Sequence, residues 1–188
     1  MKVKKNVVVK TALVTGATSG IGKATATLFA KHGYNVIITG RRKEKLKELS
    51  SYLTKKYGVD ILELCFDIRH NDEVTKALQG LKKSWTNIDV LVNNAGLARG
   101  LHPIHEGRLD DWETMIDTNI KGLLYITRFV SPMMVDAGKG HIINVCSTAG
   151  HETYPNGNVY SATKFAVDAL TKSMRVDLYK HGIKVGQV

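Results

Sequence analysis

Thr15-Gly16-Ala17-Thr18-Ser19-Gly20-Ile21-Gly22 is the stretch on which the fold of this chain turns. It follows a Val-rich run, Val7 to Thr15, that reads as a strand. It opens Ile21 to Lys31, which reads as a helix closed by Gly33. Glycines between a strand and a helix let the backbone turn tightly and approach a pyrophosphate, whose charge is met by the helix N-terminus. Three residues separate the first two glycines, so the spacing is a variant of the common G-x-G-x-x-G.

Outward from this turn, strand and helix patterns alternate to the end of the chain, which predicts a parallel sheet with helices on both faces. Strands are predicted at Asn35 to Thr39, Ile61 to Phe66, Ile88 to Val92, His141 to Val145 and Ile183 to Val188. Helices are predicted at Arg42 to Tyr57, Asn71 to Lys83 with Asn71 as cap before Glu73, and Tyr160 to His181. Leu109 to Val135 reads as largely helical with a break near Thr118. No repeat, linker or low-complexity segment interrupts the pattern. The expected fold class is α/β, a Rossmann-type doubly wound parallel sheet, with residues 1–188 as one domain.

Composition narrows the function classes. No run of eighteen apolar residues exists, so no membrane span is expected, and the basic Met1 to Lys10 segment is too short in apolar residues for a signal peptide. The net charge of +10 raises nucleic-acid binding, but its lysines are dispersed. Lys2, Lys4 and Lys5 lie in the tail; Lys43, Lys45, Lys47, Lys55 and Lys56 share one helix; Lys82 and Lys83 lie on another. That is the pattern of solvated helix faces, and no nucleic-acid partner is expected. Cys65 and Cys146 stand at no metal spacing and in apolar contexts. They read as buried, reduced thiols of a cytoplasmic protein, and no metal is expected.

The end of the second strand sorts the nucleotide. A site for NAD wants an acidic residue there to accept from the ribose hydroxyls, whereas this chain has Thr39-Gly40-Arg41-Arg42 and no acid before Glu44. Two guanidiniums suit a 2′-phosphate, so NADP is favoured over NAD. As mere surface charges they would be awkwardly placed, because cations are disfavoured at a helix start. Asp67, at the end of the third strand, is placed either to accept from an adenine amino group or to serve the entry of the next helix.

The chemistry is carried by Tyr160-Ser161-Ala162-Thr163-Lys164, with Ser147 thirteen positions earlier. Tyr160 and Lys164 share a helix face, and a lysine cation beside a phenol favours the phenolate, which makes Tyr160 a credible general acid or base. The spacing alone is weak, since Thr39, Tyr52 and Lys56 repeat it. Placement separates the two sets. Tyr52 falls late in its helix, about 15 Å along the axis from the strand edge where ligands collect, whereas Tyr160 opens its helix beside that edge.

Thr15-Gly16-x3-Gly20-x-Gly22, Asn93-Asn94-Ala95-Gly96, Asn119, Ser147 and Tyr160-x3-Lys164, in this order, resemble the classical short-chain dehydrogenases/reductases. Trp112 to Asn119, Gly140 to Asn144, Ser147 to Gly150 and Gly157 to Tyr160 look like the NADP-dependent 3-hydroxy acid dehydrogenases, serine and allo-threonine dehydrogenases among them. The resemblance implies a small hydroxy-acid or carbonyl substrate. Tyr160 would move the proton at the substrate oxygen and Ser147 would hydrogen-bond it. Lys164 would hold the nicotinamide ribose and Asn119 would support a water relay. Gly16, Thr18, Ser19, Gly20 and Ile21 would line the pyrophosphate, Arg41 and Arg42 the 2′-phosphate, Asp67 and Ile68 the adenine, and Asn94 the middle of the cofactor.

The family also commonly assembles through the helices matching Ile120–Val135 and Ser161–Lys180, which implies a homo-oligomer, dimer or tetramer. Its members continue past the sixth strand with a substrate loop, another helix and a last strand. This chain stops at Lys184-Val185-Gly186-Gln187-Val188, so roughly a quarter of a typical domain is expected to be lacking. Two other readings compete. A 3-oxoacyl-carrier-protein reductase would suit the basic surface, but Leu97-Ala98-Arg99-Gly100 departs from the Thr-Arg-Asp-like run usual there. A nucleotide-binding module without activity is opposed by the complete Asn119, Ser147, Tyr160 and Lys164 set. Arg99, His102, His105 and His151 all stand as possible partners for a substrate carboxylate.

Overall fold

The computed structural model describes residues 9–188; the tail lysines Lys2, Lys4 and Lys5 and the predicted start of the first strand at Val7 lie outside the described residues. Six strands form one parallel sheet: β1 Thr11–Val14, β2 Asn35–Gly40, β3 Ile61–Cys65, β4 Val90–Asn93, β5 Gly140–Asn144 and β6 Ile183–Gln187. Their spatial order is β3-β2-β1-β4-β5-β6. The register sets Val14 beside Ile38 on one side and Val92 on the other. The order reverses between β1 and β4, and such a switch point leaves a crevice at the carboxyl ends of the strands.

The helices are α1 Gly20–Lys31, α2 Lys43–Tyr57, α3 Asn71–Gln79, α4 Leu109–Ile116, α5 Leu123–Ala137 and α6 Asn158–Tyr179. Period-two alternation sorts the sheet residues between two cores. Ala12, Val14, Val36 and Ile38 pack with Ala26, Ala30, Leu46, Leu49 and Leu53 of α1 and α2. Leu13, Ile37, Leu91 and Ile142 pack with Val74, Leu78, Ile126, Val130 and Val167 of α3, α5 and α6. Both faces of the central strands are therefore dry, which is why they read as near-continuous apolar runs.

Four local expectations are corrected. Helix α3 stops at Gln79, because Gly80 ends it, and Lys83 to Trp85 form a separate 3₁₀ turn. Its N-cap is His70 rather than Asn71. Glu73 reaches back over this entry, accepting from the Asp67 amide at 2.9 Å and contacting His70 Nδ1 at 2.9 Å. No break occurs near Thr118; instead Asp117–Gly122 widens into a π-helical turn that joins α4 to α5. Cys65 is exposed, since β3 is an edge strand, and its thiol meets the Arg41 carbonyl at 3.7 Å. Cys146 is buried as expected.

Candidate active site

A cleft of about 580 Å³ runs along the carboxyl edge of the sheet, over the switch point. Its floor is the turn after β1. Gly16 has φ +66, a left-handed conformation that disfavours a side chain, and a Cβ there would lie 3.0 Å from Ala95 Cα. A Cβ on Gly22 would sit 2.3 Å from Asn94 Nδ2 and 2.5 Å from the Gly16 carbonyl oxygen. Asn94 closes this corner by donating from Nδ2 to the carbonyls of Thr15 at 2.8 Å and Gly16 at 3.3 Å. Thr15 Oγ1 in turn accepts from the amides of Asn94 and Ala95. The two glycines and Asn94 thus form a cradle with no room for side chains.

Above the cradle, α1 begins with neither a side-chain cap bond nor an acid in its first turn. Its leading amide N–H groups are left for an anionic ligand. The Ser19 hydroxyl, which would ordinarily cap them, accepts from Arg42 Nη2 at 2.9 Å. Arg42 also donates to Thr18 Oγ1 from Nε at 3.1 Å and Nη2 at 2.5 Å. Arg41 lies beside it, with Nη1 3.6 Å from Asp67 Oδ2. Gly16, Thr18, Ser19, Gly20, Ile21, Arg41, Arg42, Asp67, Ile68 and Asn94 all line this one cleft.

Asp67 is not a free acceptor. Arg69 grips both its oxygens, at 2.7 to 3.1 Å, and donates its backbone amide as well. Burial alone would raise the Asp67 carboxyl, but the Arg69 hydrogen bonds and the charges of Arg69 and Arg41 hold it below the ordinary value. Of its two expected roles, helix entry is the one the structure displays, since Asp67 also donates its amide to Glu73 of α3. A carboxylate oxygen has more than one acceptor site, so an adenine amino group remains compatible with this pairing.

Tyr160 and Lys164, on the first two turns of α6, line the same cleft from the far end. The Lys164 ammonium stands 5.8 Å from the Tyr160 ring centroid and donates to the Val145 carbonyl at 2.9 Å. Burial pushes this ammonium below its ordinary pKa, partly opposed by Cys146. The decoy pair is the tighter one: Lys56 Nζ donates to Tyr52 at 2.6 Å and thereby lowers that phenol. Tyr52 nevertheless sits on the outer surface of α2, away from the cleft walls.

Two expected site residues stand outside the cleft wall. Ser147 follows the lining residues Val145 and Cys146 and caps a 3₁₀ turn, its Oγ accepting from the Ala149 amide at 3.1 Å. Asn119 is buried within the π-helical turn. It brackets the Leu97 peptide, accepting from its amide and donating to its carbonyl at 2.9 Å each, and donates to Thr163 Oγ1 at 3.0 Å. Thr163 in turn donates to the Tyr160 carbonyl at 2.7 Å. Asn119 therefore ties the loop after β4 to the turn that carries Tyr160, and its side chain is fully engaged in doing so. A Cβ on Gly96 would lie 3.3 Å from Asn119 Oδ1 and 3.6 Å from Lys164 Nζ, so these three groups converge.

Arg69, Thr15 and Thr163 were not singled out from the sequence. Only Arg69 carried a usable signal, a cation two residues after Asp67; the hydroxyls of Thr15 and Thr163 find their partners through tertiary contacts. Among the described residues, no group of three or more His, Cys, Asp or Glu side chains is arranged to hold a metal, and no helix is long and apolar enough to cross a membrane.

The family model for short chain dehydrogenases matches residues 10–188. The NADP-dependent 3-hydroxy acid dehydrogenase YdfG of Escherichia coli is 47% identical over 176 residues, covering 94% of this chain and 69% of the relative. Serine 3-dehydrogenase of Rhizobium radiobacter is 45% identical over 178 residues, 95% of this chain and 70% of its own length. The crystal structure of serine dehydrogenase from Escherichia coli superposes with a TM-score of 0.89 at 46% identity, over 94% of this chain and 80% of that one. The closed form of serine dehydrogenase complexed with NADP+ gives 0.88 at 46% identity, over 94% and 70%. On the strand order, the glycine cradle and these matches, the chain belongs to the short-chain dehydrogenase family.

Proposed function

We propose that this chain is an NADP(H)-dependent oxidoreductase that interconverts the CH–OH and C=O groups of a small 3-hydroxy acid of the serine type. The observation that carries the reading is a single cleft joining a phosphate cradle, two arginines at the end of β2, and the Tyr160–Lys164 face of α6. Similarity to NADP-dependent 3-hydroxy acid dehydrogenase and to serine dehydrogenase supports the choice of cofactor and substrate class.

The residues present fit a dinucleotide. The cradle at Gly16 and Gly22 and the open start of α1 would receive the pyrophosphate, and Arg41 with Arg42 the 2′-phosphate. Ile68, beside Asp67, offers an apolar wall for the adenine. When bound, NADP supplies the carbon that accepts or donates hydride. The chain's own work is the proton and the geometry. In the oxidation direction Tyr160 takes the hydroxyl proton as the C–H bond gives up its electron pair; in reduction it returns that proton to the carbonyl oxygen. Lys164, held by the Val145 carbonyl beside the Tyr160 ring, would hold the nicotinamide ribose. Ser147 Oγ accepts from the Ala149 amide and so keeps its own O–H to donate to the same substrate oxygen, and Asn119 keeps α6 and the loop after β4 in register.

A cytoplasmic homo-oligomer belongs to this proposal. Leu124, Phe165, Val176 and Tyr179, on α5 and α6, are exposed apolar side chains that a second copy would cover, and the two free thiols suit a reducing compartment. The reading is tested by initial rates of L-serine oxidation with NADP+ and with NAD+. Turnover that favours NADP+ is the expected result; preference for NAD+, or oxidation of simple alcohols with no response to hydroxy acids, would overturn it.

A further inference from the structure

Tyr160 is a shared wall. It lines both the cofactor cleft and a narrow pocket of about 10 Å³, the size of a single water, which is lined also by Arg99, His102, Asp111, Met115 and Asn158. A 3-hydroxy acid whose hydroxyl sits at Tyr160 has its carboxylate two bonds from the reacting carbon. With the nicotinamide side taken by the cleft, that carboxylate points toward the loop after β4, where the Arg99 side chain stands more than half exposed. Resting on the proposed function, we infer that Arg99 is the group that receives the substrate carboxylate, and that Asp111 positions it.

Among the other candidates, His102 lines the same pocket, but an imidazole offers no two-nitrogen fork for a carboxylate. His105 pairs with Glu106 at 3.3 Å, and His151 lines neither cavity. Arg108, at the start of α4, spends Nε and Nη2 on Asp110 at 3.2 and 3.1 Å. Arg99 differs in using only Nε, 3.1 Å from Asp111 Oδ1, which leaves both terminal nitrogens to form a fork for a carboxylate. Its anchor is rigid: the Asp111 side chain is only 12% exposed, against 56% for Arg99. The Arg99 backbone is fixed as well, its amide meeting Met115 Sδ at 3.4 Å. The loop that carries it is held at a second point, where Asn158 Nδ2 donates to the His102 carbonyl at 2.9 Å. Asn158 lies in the first turn of α6, two residues before Tyr160, so the guanidinium and the phenol are held in one frame.

The test pairs turnover with binding in wild type, Arg99→Met and Arg99→Lys; the lysine variant keeps a cation beside buried Asp111 and so guards against simple unfolding. KM and kcat are measured for L-serine and for its methyl ester, which lacks the carboxylate charge. Propionate is titrated separately into the NADPH-saturated protein. The expected result is a rise in KM for L-serine of roughly 10- to 100-fold in Arg99→Met, the loss of a bidentate charged contact. The methyl ester should change little, propionate binding should be lost in parallel, and Arg99→Lys should recover part of both. If wild type oxidises L-serine and Arg99→Met leaves its KM and propionate binding unchanged, the Arg99 assignment fails while the proposed function stands. If L-serine is not oxidised yet propionate binds in an Arg99-dependent way, the assignment stands and the substrate reading fails. Equal losses for the acid and its ester would make Arg99 structural and overturn the inference.

Discussion

Replacing Gly22 by Ala sets two forces against each other. Gly22 is the third residue of α1 and is not among the glycines with positive φ, so helix propensity alone favours alanine by about 1 kcal/mol. Space opposes it. The new methyl would lie 2.3 Å from Asn94 Nδ2 and 2.5 Å from the Gly16 carbonyl oxygen, about 1 Å short of an ordinary contact with each. Overpacking of this kind costs about 1–3 kcal/mol. Displacing Asn94 also breaks its 2.8 Å bond to the Thr15 carbonyl, worth about 1 kcal/mol. The net loss is then about 1–3 kcal/mol, equivalent to roughly 5- to 150-fold in a dissociation constant, shared between stability and cofactor affinity. NADPH fluorescence titration alongside thermal unfolding measures both shares. Gly20→Ala is the comparison: its φ of +53 strains a side chain, but nothing lies within 4 Å of the added carbon. Gly22→Ala should shed Asn94-dependent NADPH binding and lower Tm together. Unchanged NADPH affinity with an unchanged or raised Tm, the outcome of propensity alone, would refute the steric reasoning.

Arg42→Ala should weaken NADPH binding by roughly 10- to 100-fold and NADH binding much less, because the bonds to Thr18 and Ser19 are lost for both nucleotides but the 2′-phosphate contact for NADPH alone; equal effects on both would contradict this. Asp67 has its pKa depressed in the folded state, so its stabilising contribution is fully present above its unfolded value, near about 3.9, and is lost as pH falls through the folded value. Denaturation midpoints followed from neutral to acid pH should therefore fall less steeply in Asp67→Asn than in wild type below about pH 4, from a lower starting stability. Tyr52→Phe should leave turnover unchanged despite the 2.6 Å Lys56 bond, and a large loss would mean that placement at the strand edge is the wrong criterion.

The alternation of strands and helices was legible because both sheet faces are covered, so β1, β2 and β4 are largely apolar, and several turns between elements carry glycine. The cleft was legible for the same reason that it exists: ligand contacts collect at strand ends, and Arg41 and Asn94 directly follow strands while Gly16 and Asp67 stand one residue further on. What escaped was decided partly by partners far away in sequence and partly by the geometry of local turns. Cys65 read as core from its neighbours Leu64 and Phe66, yet β3 is an edge strand, which local sequence does not reveal. The end of α3 at Gln79 shows Gly80 overriding a polar run that otherwise continues as helix. Arg69, two residues after Asp67, acquires its role only because the turn brings its guanidinium onto that carboxylate. Asn119 was recognisable from its motif, but its bonds to Leu97 and Thr163 depend on a π-helical turn that the sequence pattern presented only as an interruption near Thr118.

The most direct test of the account is a single-turnover comparison of wild type and Tyr160→Phe, with NADPH binding measured on the same samples. The phenylalanine keeps the ring that lines both pockets and removes only the oxygen to which the proposal gives the proton. The account predicts NADPH binding within about twofold of wild type, and L-serine-dependent NADPH formation lower by roughly 10²- to 10⁴-fold, the range of general acid–base catalysis. Hydride transfer at a rate close to wild type in Tyr160→Phe would contradict it.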